Sequence, residues 1–153
     1  MLRQILVAFV LVSINVSIHA IGMVALFQWV TRMRPRIERK FGPRDEIWLL
    51  IRIFAVIISL PLTQICTWAA FYTLSGELAN FETALYFSIS SYTTIGYGDV
   101  VLPPRWRLLG GIEGVTGVLM FGWSTGAIFA VAARLLAFKI ERNNAAQKKK
   151  SES

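Results

Sequence analysis

The sequence predicts an all-α membrane protein with three spanning helices and one shorter helix that enters the membrane without crossing it. Hydrophobic residues make up 55% of the 153 residues, more than a soluble domain usually carries. They are concentrated in three blocks long enough to cross a bilayer, and a fourth block has about half that length. A soluble fold of this size could hardly bury these blocks, so we expect lipid to surround them.

The first apolar block runs from about Ile5 to Val30. Arg3 before an apolar run is also typical of a signal peptide, but this run is roughly twice as long as the apolar core of one. Ile18 also occupies the position where cleavage near Ala20 requires a small residue. We therefore expect a retained transmembrane helix.

A basic segment follows from Thr31 to Glu46. Its six basic residues are Arg32, Arg34, Arg36, Arg39, Lys40 and Arg44, and Pro35 and Pro43 are expected to break helices. Short loops rich in Arg and Lys remain in the cytoplasm. We therefore predict a cytoplasmic loop, an N-terminus outside the cell and a C-terminus inside it. Arg105 and Arg107 fall on the outer side as exceptions, too few to reverse this orientation.

The remaining blocks flank a short central segment. The second block spans about Ile47 to Leu74 and contains Pro61, which can kink a helix. The third spans Trp106 to about Phe138, and the polar, basic tail at 139–153 is expected to be disordered.

The central segment, residues 80–94, is too short to cross and fits a re-entrant helix. Asn80 is expected to cap its N-terminus, and Glu82 lies in the first turn, where the helix dipole favours a carboxylate. The C-terminal end of this helix, near Thr93, directs partial negative charge toward a cation.

Glycines alternate in the string that follows, Thr94-Ile95-Gly96-Tyr97-Gly98-Asp99. Glycine reaches positive φ at no steric cost, so this backbone can alternate in handedness and turn successive carbonyls the same way. Carbonyl oxygens around a common axis can replace the hydration shell of a cation. The spacing therefore predicts ion-binding backbone from Thr94 to Gly98, with the Thr94 hydroxyl adding oxygens at the inner end.

The string from Thr93 to Asp99 resembles the signature sequence of potassium channels, with Ile95 in place of the more usual Val. Residues Ala84-Leu85-Tyr86-Phe87-Ser88 are similar to the pore helix of that family, and Gly117 and Phe121-Gly122 to its inner helix with a hinge glycine. The likeness covers roughly residues 47–138. It implies passive, potassium-selective conduction through a homotetramer in the lipid bilayer, with K+ as the permeant ion at Thr94, Ile95, Gly96 and Tyr97 and no cofactor.

The same resemblance implies further roles and a division of the chain. Residues expected to support the filter are Tyr86, Ser90, Ser91 and Asp99, and those expected at the cavity and gate are Gly117, Val118, Phe121 and Thr125. The division is an accessory N-terminal helix with the basic loop at 1–46, a pore domain at 47–138 and a basic cytoplasmic tail at 139–153. Three spanning helices resemble small bacterial ion-channel proteins, which implies the bacterial inner membrane.

Two departures from the family pattern leave alternatives open. Tyr86-Phe87 replaces two tryptophans, and although Tyr86 can donate to Asp99, Phe87 cannot hydrogen-bond. Ser90 stands where some relatives carry a glutamate behind the filter. A filter loosened by these changes would make a non-selective cation channel, and a non-conducting regulatory subunit of a channel complex is the other alternative.

Polar residues inside the apolar blocks are further candidates. Glu113 is the only acid in a spanning block, and we expect it to pair with residues 90–92 or with His19, either tuning the pore or docking helices. Asn15 and His19 lie four residues apart on one helix face. They are typical of a pH sensor or of an interhelical hydrogen bond that holds the accessory helix, and we favour the hydrogen bond.

Other classes of function lack support in the sequence. The basic residues behind the net charge of +7 lack the interleaved aromatics of a nucleic-acid surface. Cys66 is the only cysteine, which excludes an intrachain disulfide or a thiol metal cluster. No nucleophile motif or phosphate loop indicates an enzyme, and nothing indicates a small-molecule ligand. Arg52 alone is too little charge for a voltage sensor.

Overall fold

The fold is that of a helical membrane protein, seen in a computed structural model that describes residues 1–39 and 42–151. Its four helices are α1 (Leu2–Arg39), α2 (Pro43–Leu74), α3 (Phe81–Tyr92) and α4 (Arg107–Ser151). Three of them contain stretches long and apolar enough to cross a membrane, namely Leu2–Met33, Ile47–Leu74 and Arg107–Phe138. With 12 residues, α3 is about 18 Å long and shorter than a bilayer core. The predicted all-α class with three candidate spans and one short helix is confirmed.

Two predicted boundaries are wrong. α1 continues past Val30 to Arg39, and α4 continues through the tail to Ser151 where we predicted disorder. The first extension is rich in Arg and the second in Lys, Ala and Gln, which have high helix propensity. A helix that is already nucleated extends at one hydrogen bond per residue. The prediction that Pro35 breaks a helix is wrong, since α1 continues through it. Lys40 of the predicted basic loop and residues 152–153 of the predicted tail lie outside the described residues.

Local sequence explains where α2 begins and ends. The Gly42 N–H donates to Asp45 Oδ2 over 3.0 Å, and Pro43 opens the helix, where its missing N–H is not needed. The helix continues through Pro61 to Leu74. Gly76, with a φ of +71°, then turns the chain toward α3.

The helices pack in two apolar clusters separated by a polar layer. α1 lies against α2 and α4, and α3 also lies against α2 and α4. The cluster near α3 includes Leu11, Trp68, Tyr92 and Leu109; the distal cluster includes Met23, Leu26, Ile57 and Val131. Between them in helix order lie the buried polar residues Asn15, His19, Gln64 and Ser124. α1 therefore contributes to both apolar clusters and to the polar layer.

The N-terminus of α1 lies at the same end of the bundle as the start of α4. The Arg3 guanidinium carbon is 5.3 Å from the centre of the Trp106 ring. At the opposite end, Val30 of α1 packs in one cluster with Leu49 of α2 and Leu135 of α4. The C-terminal end of α1, the start of α2 and the C-terminal end of α4 therefore share one side of the bundle.

Candidate functional site

α3 aims its C-terminal end at the glycine-spaced string. Asn80 caps the helix as predicted, its Oδ1 accepting the Thr83 N–H over 2.8 Å, and Glu82 lies in the first turn. The helix ends at Tyr92, and the Thr93 N–H still donates to Ile89 O over 3.0 Å. The negative end of the helix dipole therefore meets the beginning of the string.

The string alternates in backbone handedness. φ is +61° at Thr94, +57° at Gly96 and +80° at Gly98, whereas Ile95 and Tyr97 between them lack positive φ. The two glycines behave as their spacing predicts. Thr94 adopts the same conformation without glycine's freedom, so the surrounding structure must hold it there. This alternation is the geometry that turns successive carbonyl groups toward one side.

Ser90 holds the string from behind. The Gly96 N–H donates to Ser90 O over 3.1 Å, and the Tyr97 N–H donates to Ser90 Oγ over 3.3 Å. Ser90 is only 7% exposed. Among the described residues no group donates a hydrogen bond to the carbonyls of residues 94–98. The amides are therefore tied to α3, while the carbonyl oxygens are left to other partners.

Tyr86 and Asp99 form the predicted hydrogen bond at the far end of the string. Tyr86 Oη donates to Asp99 Oδ2 over 2.6 Å, and Asp99 Oδ1 accepts from the Val100 N–H over 3.0 Å. The bond from Tyr86 lowers the pKa of Asp99 below its ordinary value. The Tyr86 ring also stacks on that of Tyr97, with 6.4 Å between ring centres.

The Glu77 carboxylate binds two side chains at the same end of the bundle. Arg105 Nη2 lies 2.9 Å from Glu77 Oε2, and Trp106 Nε1 donates to Glu77 Oε1 over 2.7 Å. The Glu77 side chain is 6% exposed and that of Arg105 72%. Arg105, an exception to the charge rule on this side, is thus paired with a carboxylate.

Phe87 supports α3 by packing in place of hydrogen bonding. Its ring lies edge-on to Tyr72, with 5.3 Å between centres. A Cβ added at Gly110 would lie 3.1 Å from Phe87 Cζ, so α4 approaches this ring closely. Phe87, which stands where the family pattern has a tryptophan, is therefore held by an aromatic contact with α2 and by close packing against a glycine of α4.

A groove of about 480 Å³ runs between the string and α4. It is lined by Ser90, Ser91, Thr94, Gly96, Gly110, Gly111, Gly114, Val115, Val118 and Leu119. Val118, a predicted cavity residue, thus shares a surface with Thr94, and so does Ser91. The other predicted cavity residues lie farther along α4: Phe121 packs edge-on against Tyr92, and Thr125 is exposed.

Gly117 packs against the end of α3. A Cβ at this position would overlap the backbone carbonyl of Tyr92. The glycine therefore permits close contact between α4 and the last residue of α3, whether or not it also bends in a gate. Its gating role stays a prediction.

Glu113 pairs with a residue that the sequence did not indicate. Tyr72 Oη donates to Glu113 Oε2 over 2.9 Å, and both side chains are fully buried. Ser88 is the other polar group beside this carboxyl, although neither Ser88 Oγ nor Glu113 Oε1 has hydrogen-bond geometry with any described residue. The prediction that Glu113 pairs with His19 or with residues 90–92 is wrong. His19 lies level with Ser124, eleven residues or about 16 Å farther along α4.

Asn15 and His19 hold α1 against the other helices, which confirms the predicted interhelical hydrogen bond. Gln64 Nε2 donates to the backbone oxygen of Asn15 over 2.8 Å and lies 3.3 Å from His19 Nδ1. Gln64 Oε1 accepts from Tyr92 Oη. Sequence reasoning missed Gln64 and Tyr72, and it considered Tyr92 only among the candidate partners of Glu113. The signal for Gln64 was an amide inside an apolar block, where polar residues are costly.

Comparison with known proteins agrees with this geometry. A family model described as ion channel matches residues 47–134, more than half of the chain. The calcium-gated potassium channel TvoK of Thermoplasma volcanium is 29% identical over 115 residues, covering 65% of this chain and 32% of the relative. The chain thus spans about a third of that relative's length, and no solved structure matches it. The family match includes α3, the string and the apolar part of α4, so the chain belongs to the ion channel family and is not an enzyme.

Proposed function

We propose that this protein conducts K+ passively and selectively through a homotetramer, with Thr94, Ile95, Gly96, Tyr97 and Gly98 as its selectivity filter. The observation that carries the proposal is the alternating backbone, with positive φ at Thr94, Gly96 and Gly98. A cation that leaves water needs a ring of equivalent oxygens at each step, and successive carbonyls facing one axis supply them.

The hydrogen bonds around the filter support the same chemistry. The amides of Gly96 and Tyr97 are tied to Ser90, so the positive ends of their dipoles are directed away from the carbonyl side. The negative end of the α3 dipole is directed at the inner end of the filter. Both arrangements favour a cation over an anion.

The exposure of the filter supports the tetramer. Ile95 is 54% exposed and Tyr97 68% exposed in the single chain. Non-helical backbone at membrane depth is tolerated only where protein buries it or a water-filled cavity adjoins it. One string cannot surround an ion, and four copies around an axis supply both the cover and the complete oxygen rings.

Selectivity for potassium draws support from the filter's anchors and from the relative. The two bonds to Ser90 hold the middle of the filter and the Tyr86–Asp99 bond holds its Asp99 end, which supports a firmly held filter despite the lost family contacts. The similar protein of Thermoplasma volcanium is a potassium channel by name. We place the filter mouth and N-terminus outside the cell and the basic ends in the cytoplasm.

Flux from liposomes tests the proposal. Vesicles that contain the purified protein and are loaded with potassium should release K+ down its gradient. Matched vesicles loaded with sodium should retain their Na+. Equal release of both ions would indicate a non-selective cation channel. No release of either ion from vesicles shown to contain tetramers would indicate a non-conducting subunit. Either result would refute selective conduction.

A further inference from the structure

A buried chain of hydrogen bonds joins α1 to the end of α3. Gln64 of α2 lies at its centre, with Nε2 2.8 Å from Asn15 O and 3.3 Å from His19 Nδ1, while its Oε1 accepts from Tyr92 Oη. His19 Nε2 lies 3.4 Å from Ser124 Oγ of α4. Asn15, His19 and Gln64 are 0% exposed. The chain therefore crosses all four helices within the polar layer.

The direction of every bond in this chain is fixed by one backbone atom. Asn15 O is a carbonyl oxygen and only accepts, so the amide nitrogen of Gln64 must face it. The amide oxygen then faces Tyr92, which donates. The second amide hydrogen points at His19 Nδ1, which must carry no proton. The neutral ring is therefore protonated at Nε2, where Ser124 Oγ can accept.

Tyr92 is held on its other sides as well. Its backbone carbonyl contacts Gly117 so closely that no side chain fits there. Its ring lies edge-on to Phe121, with 5.6 Å between centres. Tyr92 is the last residue of α3, two positions before Thr94. The bond to Gln64 therefore anchors the point where α3 ends and the filter begins.

We propose that Gln64 is a positioning residue for the filter, acting through Tyr92, and that His19 of α1 holds the Gln64 amide in the required orientation. The proposal rests on the proposed function and extends it, because it makes α1 part of the filter's support. A proton on His19 Nδ1 would set two donors against each other. The Gln64 amide could turn to meet it only by giving up its bond to Asn15 O and reversing the bond with Tyr92, whose hydroxyl would then have to accept and would lose its own acceptor.

A proton on His19 is the charge change that matters for this chain of hydrogen bonds, because the groups around the ring are uncharged. Among the described residues, the His19 ring contacts Gln64 of α2 and Ser124 and Trp123 of α4, and none of these is charged. Asn15, one turn earlier on α1, is also uncharged and bonds to Gln64. α3 contributes Tyr92 through Gln64. Glu113 acts electrostatically on Tyr92 and accepts a hydrogen bond from Tyr72.

The first test does not depend on conduction. His19 is the only histidine, so protein labelled with ¹⁵N-histidine gives the ring signals of this residue alone. We expect the Nε2-protonated tautomer at neutral pH. Gln64→Leu should release that preference, and Ser17→Ala should leave it intact, because within the part of the chain that the structure describes Ser17 Oγ bonds only to Ser13 O on the same helix. An Nδ1-protonated ring, or one indifferent to Gln64→Leu, would overturn the proposal.

The second test measures the ratio of K+ to Na+ flux in liposomes. Tyr92→Phe removes one hydroxyl and keeps the ring, so we expect tetramers whose flux ratio falls about fivefold to tenfold, the change for a lost hydrogen bond of ~1 to 1.4 kcal/mol. Wild-type selectivity should also fall as His19 is protonated in acid. His19→Asn, which keeps an acceptor and takes up no proton, should abolish that dependence.

The two tests separate failure of this proposal from failure of the proposed function. Wild-type vesicles that select K+, together with an unchanged ratio in Tyr92→Phe, would refute the positioning role and leave the filter assignment intact. Wild-type vesicles that do not select K+ would refute the function. The histidine spectrum would still decide whether Gln64 sets the tautomer of His19.

Discussion

At the scale of single residues, a side chain added at Gly98 would strain the backbone without a steric clash. Its φ is +80°, and no atom lies within 4 Å of where a Cβ would be placed. A side chain there costs about 1–2 kcal/mol of backbone strain, which is relieved if the peptide turns and its carbonyl leaves the ion path. We therefore expect Gly98→Ala to insert into membranes normally and to lose K+ flux in potassium-loaded liposomes.

Gly76 offers a matched control for this substitution. It has a similar φ of +71° and equally open surroundings, but it lies in the loop before α3. Gly76→Ala should carry a similar strain and keep selective flux. Selective conduction by Gly98→Ala at the wild-type level would contradict the filter assignment.

The Tyr86–Asp99 bond makes a prediction about pH. Because the bond lowers the pKa of Asp99 in the fold, it stabilises the fold above the unfolded pKa and loses that effect as the pH falls through the lowered value. Tyr86→Phe should therefore melt below the wild type at neutral pH, and the two melting temperatures should converge in acid, below the ordinary carboxyl value of 3.8. In an Asp99→Asn background, the effect of Tyr86→Phe should not vary over this pH range. A difference that persists in strong acid in the wild-type background would show that the Tyr86 hydroxyl acts through another partner.

Glu113 is a candidate for tuning the proposed filter. Its carboxyl accepts from Tyr72, whose ring lies against Phe87 of α3. Glu113→Gln keeps an oxygen for Tyr72 but loses the charge and the titration. We expect intact tetramers whose open-channel stability, or dependence of flux on pH, differs from the wild type. Glu141→Gln, an exposed change on the same helix, should match the wild type. Flux by Glu113→Gln unchanged from acid to neutral pH would leave Glu113 as a residue that only docks helices.

At the scale of helices, local signals were predictable from the sequence and contacts between helices were not. The cap at Asn80 and the alternating glycines follow from neighbouring residues, so the start of α3 and the alternating backbone of the proposed filter could be predicted. The partners of Gln64 lie 28 to 49 positions away in the chain. Their meeting depends on how far each helix slides along its neighbour, which no local pattern records. The positions of the helices along one another also explain why Glu113 contacts Tyr72 and not His19.

The ends of the helices give a prediction about orientation. The basic start of α2 and the first turn of α3 lie on opposite sides of the bundle, and Arg44 and Glu82 are both exposed. After Cys66, which is exposed, is replaced by serine, an impermeant thiol reagent added outside cells should label Glu82→Cys and spare Arg44→Cys. The opposite pattern would place the basic ends outside and refute the topology.

At the scale of the whole molecule, exposed side chains predict the assembly. Apolar residues near the filter and along α4 are exposed in the single chain, among them Ile95, Tyr97, Val115, Val118 and Leu119. Lipid can cover the side chains but not the filter backbone beside them. Native mass spectrometry from detergent should therefore give a mass of four 17.2 kDa chains. A monomer or dimer that still conducts K+ selectively would contradict the four-fold pore.

The polar layer affects whether α1 can be removed from this protein. A truncated chain that starts at Pro43 would keep every residue of the proposed filter but leave the Gln64 amide without Asn15 O and His19. An unsatisfied polar group in hydrocarbon costs several kcal/mol. We therefore expect the segment that matches the family to be less stable in this chain when α1 is removed. Anyone who grafts these three helices onto another membrane anchor would need to replace Gln64 with an apolar residue, and Tyr92 with one that needs no acceptor.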